Sequence, residues 1–187
     1  MTEPLFPLFL RLSGRRVLVV GAGVVAERKV TDLLDAGADV RVVAPKATPA
    51  LRALARSGAI AWARRGFVAR DVAGAWLVFA ATDDDAAQAR VARACAARST
   101  FCVAVDDVAN ATAFGGSIVR RPPFLVAISS SGAAPALTRL VREVIEHVLP
   151  AERWVARATA LRARWKRDGT PMGERFGALV RAMVRAR

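Results

Sequence analysis

Three observations predict an α/β fold built on a doubly wound parallel sheet. First, four apolar residues, Val17–Val20, run into Gly21-Ala22-Gly23-Val24-Val25-Ala26, and a helix with Val30, Leu33 and Leu34 on one face follows. Strand, glycine turn, helix is the order a dinucleotide site needs. Gly21 permits the turn, Gly23 lets the backbone approach a pyrophosphate, and Ala26 lets helix and strand pack closely. The competing reading is a glycine turn of an α/β sheet that holds no ligand. Second, further short apolar runs recur up to residue 105 with helical segments between them, as parallel strands require. Third, the rhythm changes near residue 110, where two strands follow one another directly and helices then run to the end. The reading is a Rossmann-like domain over residues 1–110, a small α+β region over 111–149 and a C-terminal helical region over 150–187.

Taken in order, Met1–Leu12 is apolar, contains Pro4 and Pro7, and reads as an extended lead-in that covers a sheet edge. The strands are Arg16–Val20, Asp39–Ala44, Ile60–Ala63, Trp76–Ala80 and Phe101–Val105. The fourth is apolar throughout, which suits a central strand buried on both faces. Helices span Ala26–Ala36, stopped by Gly37, then Pro49–Ser57, then a segment from Asp85 to about Arg98. Ser117–Arg120 and Phe124–Ser129, joined by Arg121-Pro122-Pro123, read as a hairpin or as strands that join another chain. The helix Pro135–Leu149 carries Leu137, Leu140, Val141 and Val144 on one side, and Pro150 ends it. Two more helices, Glu152–Arg167 and Pro171–Ala186, turn at Asp168-Gly169.

Hydrophobic residues make up 54% of the 187, enough for a sizeable core, and no apolar run approaches the roughly 18 residues of a membrane span. The first residues show no charged-then-apolar leader pattern, so the chain reads as soluble and cytoplasmic, away from membranes. Cys95 and Cys102 stand in no metal-spaced or redox motif and read as core fillers in a reducing compartment. The formal charge is +13 and is densest at the end: residues 138–187 carry 12 basic and 5 acidic groups, against 17 and 11 before them. An arginine-rich composition accounts for part of this. The functional reading is an anionic partner, either nucleic acid or a small molecule with many carboxylates. No zinc finger, RNP motif or basic–aromatic alternation supports nucleic acid.

A dinucleotide site usually places a carboxylate at the end of the second strand for the adenine ribose. Here that strand ends Val43-Ala44-Pro45-Lys46, and Asp39 stands at its other end. Two readings follow: backbone near Pro45 and Lys46 holds the ribose of NAD, or Lys46 and Arg41 favour NADP. Thr82-Asp83-Asp84-Asp85 and Asp106-Asp107 follow the fourth and fifth strands, at the carboxyl edge where doubly wound sheets bind ligands. A carboxylate there accepts protons once burial or a like charge raises its pKa. Asp106 is the sharper candidate because it directly ends an apolar strand; helix capping is the competing role for these acids. Ser129–Ser131 precede a helix and either cap it or bind an anion. His147 is the only histidine, so no conventional transition-metal site is expected.

With these segments in view, the chain resembles the precorrin-2 dehydrogenase/sirohydrochlorin ferrochelatase module of siroheme synthases over nearly its full length. The carriers are residues 20–29 (VGAGVVAERK), 80–85 (AATDDD), 101–107 (FCVAVDD) and 126–140 (VAISSSGAAPALTRL), with Met172-Gly173-Glu174-Arg175 near the end. The resemblance implies oxidation of precorrin-2 to sirohydrochlorin with NAD, followed by insertion of ferrous iron as a substrate to give siroheme. It implies Asp106 as the acid/base group of both steps. On the cofactor side it places Gly21, Gly23, Val24, Val25, Pro45, Lys46, Thr82 and Asp83. On the tetrapyrrole side it places Ser130, Asp107 and Phe114, and Ser130 corresponds to a serine that is phosphorylated in some members. It also implies a homodimer, which makes residues 111–149 a dimerisation region. An anionic tetrapyrrole would account for the arginine excess, and its own four nitrogens would make a protein metal-ligand set unnecessary.

Two positions depart from the family pattern. Val103 stands where asparagine is usual, and Gly115-Gly116-Ser117 replaces an apolar pair and a proline. The chain also ends without the methyltransferase domain of trifunctional synthases, and reads as a stand-alone enzyme or a cut piece. Two other functions stay open on these grounds: a dehydrogenase without the chelatase step, and a non-catalytic NAD- or tetrapyrrole-binding protein.

Overall fold

A computed structural model describes residues 4–105, 107–131, 133–149 and 152–184; Asp106, Gly132 and Pro150 lie outside them. The chain divides into two compact units, the first ending at Gly115 and the second starting at Gly116.

In the first unit, β1 (Arg16–Val20), β2 (Asp39–Val43), β3 (Ala61–Ala63), β4 (Leu77–Ala80) and β5 (Phe101–Ala104) form one parallel sheet in the order β3-β2-β1-β4-β5. Side chains alternate along each strand. Val17 and Val19 of β1 and Leu77 and Phe79 of β4 face α1 (Val24–Asp35) and α2 (Pro49–Arg56), meeting Ala26, Val30, Leu33 and Leu51. Leu18, Val20, Val78 and Ala80 face the other way, onto Val91, Ala94 and Cys95 of α3 (Asp85–Ala96). Burial on both faces is why these strands read as continuous apolar runs. Thr48 caps α2, its hydroxyl accepting from the Leu51 amide at 3.3 Å, with Pro49 in the first turn. Asp84 caps α3 in the same way, accepting from Ala87 at 2.9 Å.

Three differences from the sequence reading matter. Helix α1 begins at Val24 rather than Ala26, because Gly23 itself is the N-cap and its carbonyl takes the Glu27 amide at 3.0 Å. The β3–β4 crossover holds no α-helix, only a 3₁₀ turn over Ala69–Val72. That turn is fixed by Asp71, which pairs with Arg65 through two hydrogen bonds of 2.6 and 2.8 Å and accepts the Val68 amide at 2.9 Å. Residues 4–11 cover no sheet edge: they are exposed, Phe6 to 85%, and only Leu12 enters the core. Pro4 and Pro7 have no N–H to offer a ladder, and the chain turns at Ser13-Gly14 before β1 starts.

The second unit begins with an antiparallel hairpin, β6 (Ser117–Arg121) and β7 (Phe124–Ile128), closed by Pro122-Pro123, whose peptide bond is cis. Helix α4 (Pro135–Val148) packs on both strands, with Val119 and Thr138 buried in this unit. The Arg121 guanidinium donates to the Glu146 and Leu149 carbonyls at 3.0 and 3.1 Å, satisfying the open end of α4. Helices α5 (Glu152–Arg167) and α6 (Met172–Val184) pack on each other. Among the described residues, no helix is long and apolar enough to cross a membrane.

Candidate functional site

The strand order reverses between β1 and β4, and at that switch point the carboxyl ends of the central strands come into register: Val20 pairs with both Val43 and Ala80, and Ala80 with Ala104. Gly21 continues β1 past this line. Its amide donates to the Val43 carbonyl at 3.0 Å, while the Ala81 amide donates to the Val20 carbonyl at 2.8 Å. Gly21 has φ +103°, and a Cβ there would lie 2.0 Å from the Ala81 oxygen, so no side chain fits. Gly23 differs: a Cβ would meet nothing within 4 Å, and no side chain caps α1. The open space lies at an uncapped helix amino terminus, flanked by the exposed Val24 and Val25. Its donors and dipole suit a pyrophosphate, so the residues present fit a bound dinucleotide.

The segment after β2 closes one side of this turn, its Thr48 amide donating to the Ala22 carbonyl at 3.1 Å. Pro45 and Lys46 are exposed there. Arg41 is elsewhere. It pairs in register with Leu18, two residues short of the edge, and lines a groove of about 460 Å³ with Arg16, Arg65, Arg70 and Trp62. That groove lies over the face of β1–β3, which the short crossover leaves open. Of the two cations suggested for a 2′-phosphate, only Lys46 therefore stands beyond the strand end. Asp39 is at the opposite end, paired with Arg16 at 3.8 Å.

Beyond β4, Thr82 is half-buried, Asp83 is exposed and Asp84 is engaged as the cap. Beyond β5, the Val105 amide donates to the Ala80 carbonyl at 3.0 Å. Asp106, the expected acid/base group, lies outside the described residues. Asp107 caps the 3₁₀ turn Val108–Asn110, accepting from both the amide and the side chain of Asn110. Thr112 and Ala113 then run beside β5, both amides donating to the Cys102 carbonyl, and the half-buried Phe114 follows. Val103 is a core residue among Val17, Val19 and Phe79, where an amide side chain would need a partner. Cys95 and Cys102 are both buried, and the neighbouring Cys102 thiol, followed by burial, pushes the Cys95 thiol up.

In the second unit, Ser130 Oγ accepts from the Ala134 amide at 3.1 Å and lies 3.0 Å from the Thr138 hydroxyl, so it builds the start of α4. Gly116 is required by contact, since a Cβ would lie 2.3 Å from the Ile128 oxygen.

A family model described as "Putative NAD(P)-binding" matches residues 8–117. The chain belongs to this NAD(P)-binding family. A second model, "Sirohaem biosynthesis protein central", matches residues 126–147 of the same NAD(P)-binding chain, the segment that includes the serine loop. Siroheme synthase 1 of Aeromonas salmonicida is 46% identical over 171 residues, 90% of this chain and 36% of that protein. Siroheme synthase 1 of Klebsiella pneumoniae is 49% identical over 144 residues, 77% of this chain and 31% of that protein. The chain thus spans about a third of the length of these curated relatives. Among solved structures, a chain described as "SirC, precorrin-2 dehydrogenase" superposes with a TM-score of 0.76 at 22% identity, covering 95% of this chain and 88% of that one. The shared feature there is the fold.

Sequence reasoning missed Gln88. It lies in the first turn of α3, is 7% exposed, and its Nε2 donates to the Thr82 carbonyl at 2.9 Å and the Val105 carbonyl at 3.2 Å. The signal was available: Gln88 is the one amide on the helical stripe that also carries Val91 and Cys95. Among the described residues, no cluster of three His, Cys, Asp or Glu could hold a metal ion.

Proposed function

We propose that this chain oxidises precorrin-2 to sirohydrochlorin with NAD, and that the same site inserts ferrous iron, a substrate, to give siroheme. The observation that carries the reading is the open, uncapped amino terminus of α1 at the Gly21–Gly23 turn, at the same sheet edge as the end of β5, which runs in sequence into Asp106. Relatives named siroheme synthase, and a fold shared with a chain described as a precorrin-2 dehydrogenase, support it.

NAD, when bound, supplies a two-electron acceptor for hydride. The amides of Val24 and Val25 would hold its pyrophosphate, and Pro45, Lys46, Thr82 and Asp83 would hold the rest. Oxidation removes a hydride and a proton; the Asp106 carboxylate takes the proton. Later it takes pyrrole protons as iron enters, while the macrocycle supplies the four nitrogens. The residues proposed to meet the substrate are Asp107 and Phe114 of the first unit and, separately, Ser130 of the second. Precorrin-2 carries carboxylates around its rim, and the +13 charge draws it in. The exposed Leu137, Leu140, Val141, Val144 and Val148 of α4 form one apolar stripe, which supports a homodimer through this helix. Free, buried cysteines suit a cytoplasmic protein.

The deciding assay is anaerobic: purified chain, precorrin-2 and NAD, followed by absorbance for sirohydrochlorin. Conversion is expected, and ferrous iron added to sirohydrochlorin without NAD then tests chelation separately. Binding of precorrin-2 without conversion would replace the enzyme reading with a binding protein.

A further inference from the structure

We infer that Gln88 is a positioning residue that locks the cofactor-side loop after β4 to the acid/base end of β5. The inference rests on the proposed function for what the two loops do, and on geometry for the lock itself. Both hydrogens of the Gln88 amide are used, one on Thr82 and one on Val105. Both partners are carbonyls, so the amide can take only this orientation; turned over, its oxygen would face two acceptors. The Val105 carbonyl belongs to the same planar peptide as the Asp106 N–H. Holding that oxygen therefore fixes Val105, the last described residue before Asp106 in sequence. The other side of Val105 is held too, by its amide bond to Ala80. The Thr82 carbonyl, in turn, is part of the peptide that leads into Asp83. One buried side chain thus ties the tips of two neighbouring strands, and each tip carries residues assigned a different task.

The remaining atom strengthens the point. Gln88 Oε1 is buried without a hydrogen-bond partner among the described residues. Burying an unpaired acceptor on a helix face shared with Val91 and Cys95 is unfavourable, and an apolar residue would avoid it. What an apolar residue could not do is satisfy the two carbonyls. The pair of Nε2 bonds is the feature that the amide provides.

The test compares Gln88→Leu and Gln88→Asn with the unaltered chain. Leu fills the space but donates nothing; Asn is one methylene too short to reach both carbonyls. For Gln88→Leu, kcat for precorrin-2 oxidation, counted per NAD-binding site, should fall about tenfold or more, with an altered pH–rate profile, and the Kd for NAD should rise as the Thr82–Asp83 side loosens. Gln88→Asn should fall between. A purely structural role would lower Tm and the number of folded sites, yet leave kcat per site and the pH profile unchanged; that outcome overturns the inference. Amide hydrogen exchange gives a readout without turnover. Protection should drop together over residues 80–86 and 103–107 in Gln88→Leu and hold over β1 and β2. Loss over only one segment, or over neither, would overturn the lock even if the unaltered chain proved inactive. Inactivity of the unaltered chain with both segments loosening together would count against the proposed reaction, not against the lock.

Discussion

Gly21 lies directly against Ala81: a Cβ on Gly21 would sit 2.0 Å from the Ala81 oxygen, and the φ of +103° is one that L side chains rarely adopt. Neither the backbone of β4 nor that of β1 can retreat without breaking the ladder between them. Gly21→Ala should cost at least about 2 kcal/mol of stability and abolish NAD(P) binding. Gly23→Ala, with open space at its Cβ, should keep the fold and weaken the cofactor by about tenfold or more, because the methyl enters the pyrophosphate cradle. Urea unfolding and NAD titration separate the two; equal behaviour would refute the distinction.

Asp106→Asn tests the proposed base. Turnover of precorrin-2 should fall by about 10²-fold or more, with NAD affinity retained, since an amide cannot take the proton. Undiminished turnover would remove Asp106 from the mechanism.

Asp71 anchors the short β3–β4 crossover. The Arg65 hydrogen bonds, and after them the Val68 amide, hold its carboxyl below the usual carboxylate range. A lowered folded-state pKa stabilises fully above the unfolded value, near about pH 4, and that gain is lost as pH falls through the folded value. Asp71→Asn should lower Tm at pH 7 by a few degrees, and the two curves should converge in acid. A constant gap down to pH 2 would contradict the assignment.

Leu51 is 1% exposed and is the fully buried residue of α2. Leu51→Ala should cost about 2–5 kcal/mol in urea unfolding through the lost transfer energy and the cavity left behind. A cost below about 1 kcal/mol would mean that α2 is not docked as described.

The α4 stripe gives an assembly prediction. Leu140→Asp with Val144→Asp places charges on exposed apolar positions without touching the packed Thr138 side. Sedimentation should show a dimer for the unaltered chain and a monomer for the variant; an unaltered chain that sediments as a monomer would remove the proposed interface.

Much of this was legible in the residues. The glycine turn, the alternation of apolar strands and the Pro-Pro hairpin are local signals, and each was read within two residues of its structural bounds. The ends moved where hydrogen bonding outranked composition, as at Gly23, which caps α1 so that the helix starts at Val24, two residues before Ala26. Asp84 and Asp107 could be listed as acids at the sheet edge from sequence, but their use as caps depends on which amides face them.

Other features were beyond local reading because their parts are far apart in the chain. Arg16, Arg41, Arg65 and Arg70 meet over one sheet face only because a 3₁₀ turn stands where a crossover helix would lie. Gln88 reaches Val105 across 17 positions, and nothing in either segment alone announces the pair. By itself, then, the sequence determined the strand–turn–helix unit, the parallel sheet and the residues available at its carboxyl edge, since periodicity and glycine placement are properties of neighbours. Tertiary structure decided which of those residues are spent on capping, which cation stands at the edge and which side chain ties the loops together. Those outcomes depend on register between strands, and register is set by packing the whole sheet at once.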